Sequence, residues 1–123
     1  GRFFKGVISG ELPVVTDVNF ESEVLQSDKI VLTVVYIDSD PIHTNQKDED
    51  TNKKNIEDAR KMASFSLFSD KIKAVYLDVN NSSETIQAYN IQEGPRILVF
   101  QDGECVFEGN KDRVFQWAFL NCR

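Results

Sequence analysis

Asp40 and His43 stand three residues apart in the turn after an apolar, β-branched run, and a carboxylate and an imidazole at that spacing can share a proton or a metal ion. As a metal site the pair is incomplete, because structural zinc takes four protein ligands and catalytic zinc three. Asp48, Glu49 and Asp50 follow nearby, but without the alternation and glycine of a calcium loop. The reading that fits is a capping Asp40 followed by a solvated polar loop, with no metal. Cys105 and Cys122 are the two thiols. Nothing beside either lowers a thiol pKa, so they are expected as two separate thiols, or as a structural pair if their Cα atoms approach within about 7 Å. Asn80-Asn81-Ser82 and Asn81-Ser82-Ser83 are overlapping glycosylation sequons, and Asn81 also stands where a helix cap would, three residues before Glu84.

Composition narrows the function classes. The net charge is −6 with a pI near 4.7, and no basic stripe, phosphate-cradling glycine loop or Arg-aromatic platform occurs. Nucleic acid and nucleotides are therefore poor partners, and no cofactor is indicated. No stretch is long and apolar enough to span a bilayer, so no membrane contact by this domain is expected. A length of 123 residues, 41% of them hydrophobic and nine of them Phe, suits one domain with a substantial core. The chain opens at Gly1 without Met, as an excised or processed piece does.

The elements that would position these residues follow from periodicity. Ile30 to Ile37 reads as a strand buried on both faces, as do Lys73 to Val79, Arg96 to Phe100 and Glu104 to Glu108. Gln101-Asp102-Gly103 joins the last two as a hairpin. Asn19 is placed to cap a helix with Phe20, Val24 and Leu25 on one face. Ile56, Ala59, Ala63 and Leu67 recur at helical spacing, Ser83 to Tyr89 forms a short third helix, and Asn110 caps a fourth carrying Val114, Phe115, Trp117, Ala118 and Phe119. With Pro13 to Thr16 as a first strand the order is βαβαβαββα, an α/β sandwich with a mixed central sheet and helices on both faces. Residues 1–12 read as a linker or extension, in which Phe3 and Phe4 suggest packing on a neighbour, and residues 13–123 as the domain.

Several motifs carry a resemblance. Leu12-Pro13, Asn19-Phe20, the Ile30 strand, Tyr76-Leu77-Asp78-Val79, Tyr89-Asn90-Ile91 with Gly94-Pro95, and Gln101-Asp102-Gly103-Glu104 are similar, in order and over nearly the whole chain, to the thioredoxin superfamily. The resemblance implies a thioredoxin-like three-layer sandwich in which Pro95 is cis and lies beside the active-site turn. It places the two redox cysteines at Asp40 and His43, and the buried acid near Val34. All three are replaced, so these positions are vacant redox-site positions without disulfide-exchange chemistry. The entry Phe3-Phe4-Lys5-Gly6 through Gly10-Glu11-Leu12-Pro13, with Val14-Val15-Thr16-Asp17 and Ala74 to Asp78, further resembles the non-catalytic b′-type domains of protein disulfide isomerases. Gln46 to Asn55 departs from the family by its length and polarity, and Arg96 by standing where many relatives have Thr or Ala.

That resemblance implies a redox-inactive module in the endoplasmic reticulum lumen or secretory pathway, where the Asn80 and Asn81 sequons are usable. Its partners would be unfolded or partly folded polypeptides, a chaperone, and other domains of the same chain. Ile42, Tyr89, Ile91, Gly94, Pro95 and Arg96 are the candidate peptide-binding residues, with core packing the competing reading for Tyr89 and Ile91. The alternatives are a purely structural spacer and, behind it, an acid-base or metal enzyme at Asp40 and His43. One observation separates the first two: whether Ile42, Tyr89, Ile91 and Pro95 form a single exposed apolar patch.

Overall fold

The structure is a computed structural model in which residues 12–122 are described. Five strands form one mixed sheet: β1 (Val14–Val15), β2 (Ile30–Ile37), β3 (Ile72–Leu77), β4 (Gly94–Gln101) and β5 (Glu104–Gly109). Their spatial order is β1-β3-β2-β4-β5. β3 runs parallel to both β1 and β2, with Val34 beside Tyr76, while β4 runs antiparallel to β2 and to β5. The parallel pair β2 and β3 requires a crossover connection, which α1 (Gln46–Ser64) supplies. α2 (Ser83–Ala88) lies between β3 and β4, and α3 (Lys111–Asn121) closes the chain. A five-residue π-helical segment, Glu21–Leu25, precedes β2, so the expected βαβαβαββα order holds.

Strand alternation sends successive side chains to opposite faces and makes two cores. Ile30, Leu32 and Val34 pack with Ile56, Ala59 and Met62 of α1 and with Val114 and Ala118 of α3. Val31 and Val35 pack on the other side with Phe20 and Val24, against which Ile86 and Tyr89 lean. Helical elements thus cover both faces of the sheet. Leu12, read as linker from the sequence, is buried in the first core. The Phe3-Phe4-Lys5-Gly6 and Gly10-Glu11 motifs lie outside the described residues.

Three local expectations are corrected. Asp48 to Asp50, expected in a solvated loop, lie in the first half of α1, and Asn45 caps that helix by accepting from Lys47 N at 2.9 Å and Asp48 N at 3.3 Å. α1 ends at Ser64, so Leu67 follows the helix and is exposed. Asn19 does not cap the next turn: its Oδ1 accepts from the preceding Thr16 N at 2.7 Å. The Asn110 cap is as expected, accepting from Arg113 N at 3.0 Å.

Candidate functional site

The turn from Asp40 to His43 is exposed. Pro41–His43 forms one 3-10 turn, capped by Asp40, whose Oδ1 accepts from His43 N at 3.2 Å. His43 Nδ1 lies 3.2 Å from Asp40 Oδ2, and both side chains are exposed. Among the described residues no three His, Cys, Asp or Glu side chains are grouped to hold a metal ion. Val34, where the family's buried acid would fall, is fully buried in the first core.

The expected peptide-binding residues do not form one exposed apolar patch. Ile42 stands alone at 86% exposure, whereas Ile91 is 7% exposed and belongs to the second core. Tyr89 stacks edge-on to Phe100 at 5.1 Å and leans on Phe20 at 5.8 Å. Burial pushes its hydroxyl pKa up. The core reading therefore holds for both Tyr89 and Ile91. Every described peptide bond is trans, Gly94–Pro95 included, which differs from the cis proline of the thioredoxin pattern. Gly94 takes φ +98°, a conformation that favours glycine, and Pro95 pairs with Tyr36 at the start of β4. Arg96 is paired with Glu108 and donates to the Glu93 carbonyl.

The remaining chemical candidates are separate features. Cys105 is exposed on β5 and Cys122 is buried at the end of α3, and both are free thiols. Desolvation pushes both pKa values up, and Glu108 adds to the effect at Cys105, so neither is primed as a thiolate. Asn80 and Asn81 lie exposed on the 3-10 turn Val79–Asn81. Asn81 donates to Asp78 Oδ2 at 2.8 Å and does not cap α2.

A groove between α1 and α3 is the feature that sequence reasoning missed. Asp58, Met62 and Phe65 share one face by their spacing, and Lys111 and Phe115 face them from α3. The groove is open and encloses about 670 Å³. Lys111 Nζ closes its polar end with an ion pair to Asp58 Oδ2 at 3.0 Å, and that hydrogen bond raises the lysine's pKa. Its apolar end is a row of rings: Phe65 to Phe68 at 5.7 Å, Phe68 to Phe115 at 6.2 Å and Phe115 to Phe119 at 6.4 Å. Phe68 is fully buried and holds the row in place, while Phe65 and Phe115 remain 50% and 43% exposed. Phe119, at the end of the row, is 45% exposed as well. A signal was present in α3, whose Val114, Phe115, Trp117, Ala118, Phe119 and Leu120 exceed the single apolar stripe that one core contact needs.

Neither the family models nor the curated proteins compared with this chain match it.

Proposed function

We propose that this chain is a redox-inactive thioredoxin-like domain of a protein disulfide isomerase-type protein, acting in the endoplasmic reticulum lumen or secretory pathway. It binds unfolded or partly folded polypeptide, or a chaperone partner, in the groove between α1 and α3. The element order and the sheet order support the thioredoxin-like assignment, with the trans Pro95 as its departure. The observation that carries the binding reading is the half-exposed pair Phe65 and Phe115 on either side of that groove. Phe65 and Phe115 both pack on Phe68, so these exposed rings are clustered rather than scattered. Covering apolar area is worth roughly 25 cal/mol per Å², so a few aromatic or aliphatic anchors give weak, interchangeable contacts and hence broad client choice.

A titration with a fluorescent amphipathic peptide, followed by residue-resolved NMR, tests the reading. Dissociation constants of about micromolar order, with shifts centred on Met62, Phe65 and Phe115, are expected. Phe115→Ser should weaken binding by roughly tenfold. Absence of binding at millimolar peptide, or shifts centred on Asp40 to His43 instead, overturns it. With no binding at all the spacer reading is the better account, and it already has one observation in its favour: buried Ile91 and packed Tyr89 leave the Asp40 to His43 turn without an apolar platform.

A further inference from the structure

We propose that the first half of α1, Gln46 to Asn55, is a flap that unwinds from the sheet, carrying Asn52 and Asn55 with it, and uncovers the phenols of Tyr36 and Tyr76. The proposal is independent of the α1/α3 groove and of the family reading. From Gln46 through Asn55 the sequence contains no apolar side chain, and the apolar anchors Ile56, Ala59 and Met62 all come later in the helix. The residues this half turns inward are Asn52 and Asn55. Asn55 is 1% exposed, and neither its amide nitrogen nor its carbonyl oxygen has a hydrogen-bond partner among the described residues. Asn52 Oδ1 and the Tyr36 hydroxyl are buried and unpartnered in the same way. Asn52 Nδ2 donates to the Tyr76 hydroxyl at 3.3 Å, tying the segment to the sheet.

Burying an unpaired polar group costs stability, and here no apolar burial from the same segment offsets the cost. Asp48, Asp50, Thr51, Asn52 and Asn55 are weak helix formers and offset the stronger propensity of Gln46, Glu49 and the three lysines, so local propensity does not compensate for the missing apolar burial. Unwinding therefore forfeits little packing and lets water satisfy four atoms at once. Ile56 onward stays anchored in the first core and marks the hinge. Opened, the segment carries Asn52 and Asn55 into water and uncovers the Tyr36 and Tyr76 hydroxyls on the sheet, so the flap gates a pair of phenols distinct from the apolar groove. Such low-stability units are where proteins open locally in the native state.

Hydrogen exchange of the intact chain, resolved by residue, tests this. Amides 51–55 should exchange at least about a hundredfold faster than amides 59–64 under native conditions. Asn55→Leu and the smaller Asn55→Ala, which cannot overpack, should each slow exchange of amides 51–55 by roughly tenfold, beyond the few-fold gain that helix propensity supplies. Equal protection of the two halves overturns the proposal, since it would mean a closed flap whose polar groups are satisfied in place. Faster exchange of the segment in both variants overturns it as well.

Discussion

Asp17 caps a helix 68 residues further along the chain: its Oδ1 accepts from Thr85 N at 2.9 Å and from Thr85 Oγ1 at 2.7 Å. Its Oδ2 accepts from Glu84 N at 3.0 Å, so one carboxylate satisfies two of the free amides at the start of α2. Ser82, at the cap position itself, turns its hydroxyl to the Asp78 carbonyl at 2.6 Å. The loop after β1 and the connection after β3 are thereby locked together, an arrangement reinforced by Asp17 N donating to Asn81 O at 3.0 Å.

This cap makes stability depend on pH in a defined direction. The Thr85 hydroxyl, aided by the two backbone amides, holds the Asp17 carboxyl below its ordinary value of 3.8. A depressed folded-state pKa gives stability that is present above the unfolded value and lost as pH falls through the folded one. Asp17→Asn should lower the melting temperature at pH 7, with the gap to the parent chain closing below about pH 3.8. A gap that stays constant to pH 2 would show that Asp17 acts through shape rather than charge.

Phe68 ties the groove to the core. It is fully buried, and the rings of Phe65, the C-cap of α1, and Phe115 of α3 pack against it edge-on. Phe68→Ala should cost about 3–5 kcal/mol in chemical denaturation, whereas Phe115→Ser should cost under about 1.5 kcal/mol because that ring is already half in water. Similar losses from both would mean that Phe115 is core in solution and that the exposed row is not free to bind.

Which parts of this arrangement were legible depended on whether apolar residues reported the burial. Ile30 to Ile37 was read with its observed ends, because an apolar run buried on both faces looks the same in sequence and in space. The first half of α1 was unreadable as helix, since its inward residues are Asn52 and Asn55 and a search for apolar periodicity passes over them. Leu67, Phe115 and Phe119 failed for the opposite reason. Apolar residues at helical spacing imply a core, but only the angle and separation of α1 and α3 decide which of them the core accepts. Tyr89 and Ile91 sit where a family motif suggested a site, and their packing on Phe20 and Phe100 could not be known before β4 was placed beside β2. Asp17 and Thr85 could not be paired from sequence, as nothing local signals a cap supplied from so far away.

The Asn110 cap offers a test of how much α3 depends on its own start. Its Oδ1 accepts from Arg113 N, and α3 contributes only Val114, Ala118 and the following Cys122 as buried residues. Asn110→Ala should cost about 1 kcal/mol, and Asn110→Asp should restore most of it, since a carboxylate caps equally well and complements the helix dipole. Because α3 forms one wall of the groove, peptide affinity should fall with the alanine variant and recover with the aspartate one. Loss of stability without change in affinity would place the binding surface elsewhere.

The two thiols should report the fold through their contrasting reactivity. Cys105 is exposed but has its pKa raised by desolvation first and by the Glu108 carboxylate second, while Cys122 is buried and its pKa is raised by desolvation against a small opposing effect of Lys71. Lys71 Nζ donates to the Cys122 carbonyl at 2.7 Å, which fixes the end of α3 over the start of β3. The thiolate is the reactive form, so a raised pKa delays reactivity to higher pH in both cases. Alkylation of the native chain at pH 7 should modify Cys105 more slowly than a free thiol in an unstructured peptide, and its rate should climb as pH rises past 9. Cys122 should react only at the rate of unfolding, and Lys71→Met should speed it by freeing the last turn of the helix. Mass analysis of the oxidised chain should find no Cys105 to Cys122 bridge. Fast labelling of Cys122 in the folded state, or recovery of that bridge without denaturant, would show that the end of α3 lies differently in solution.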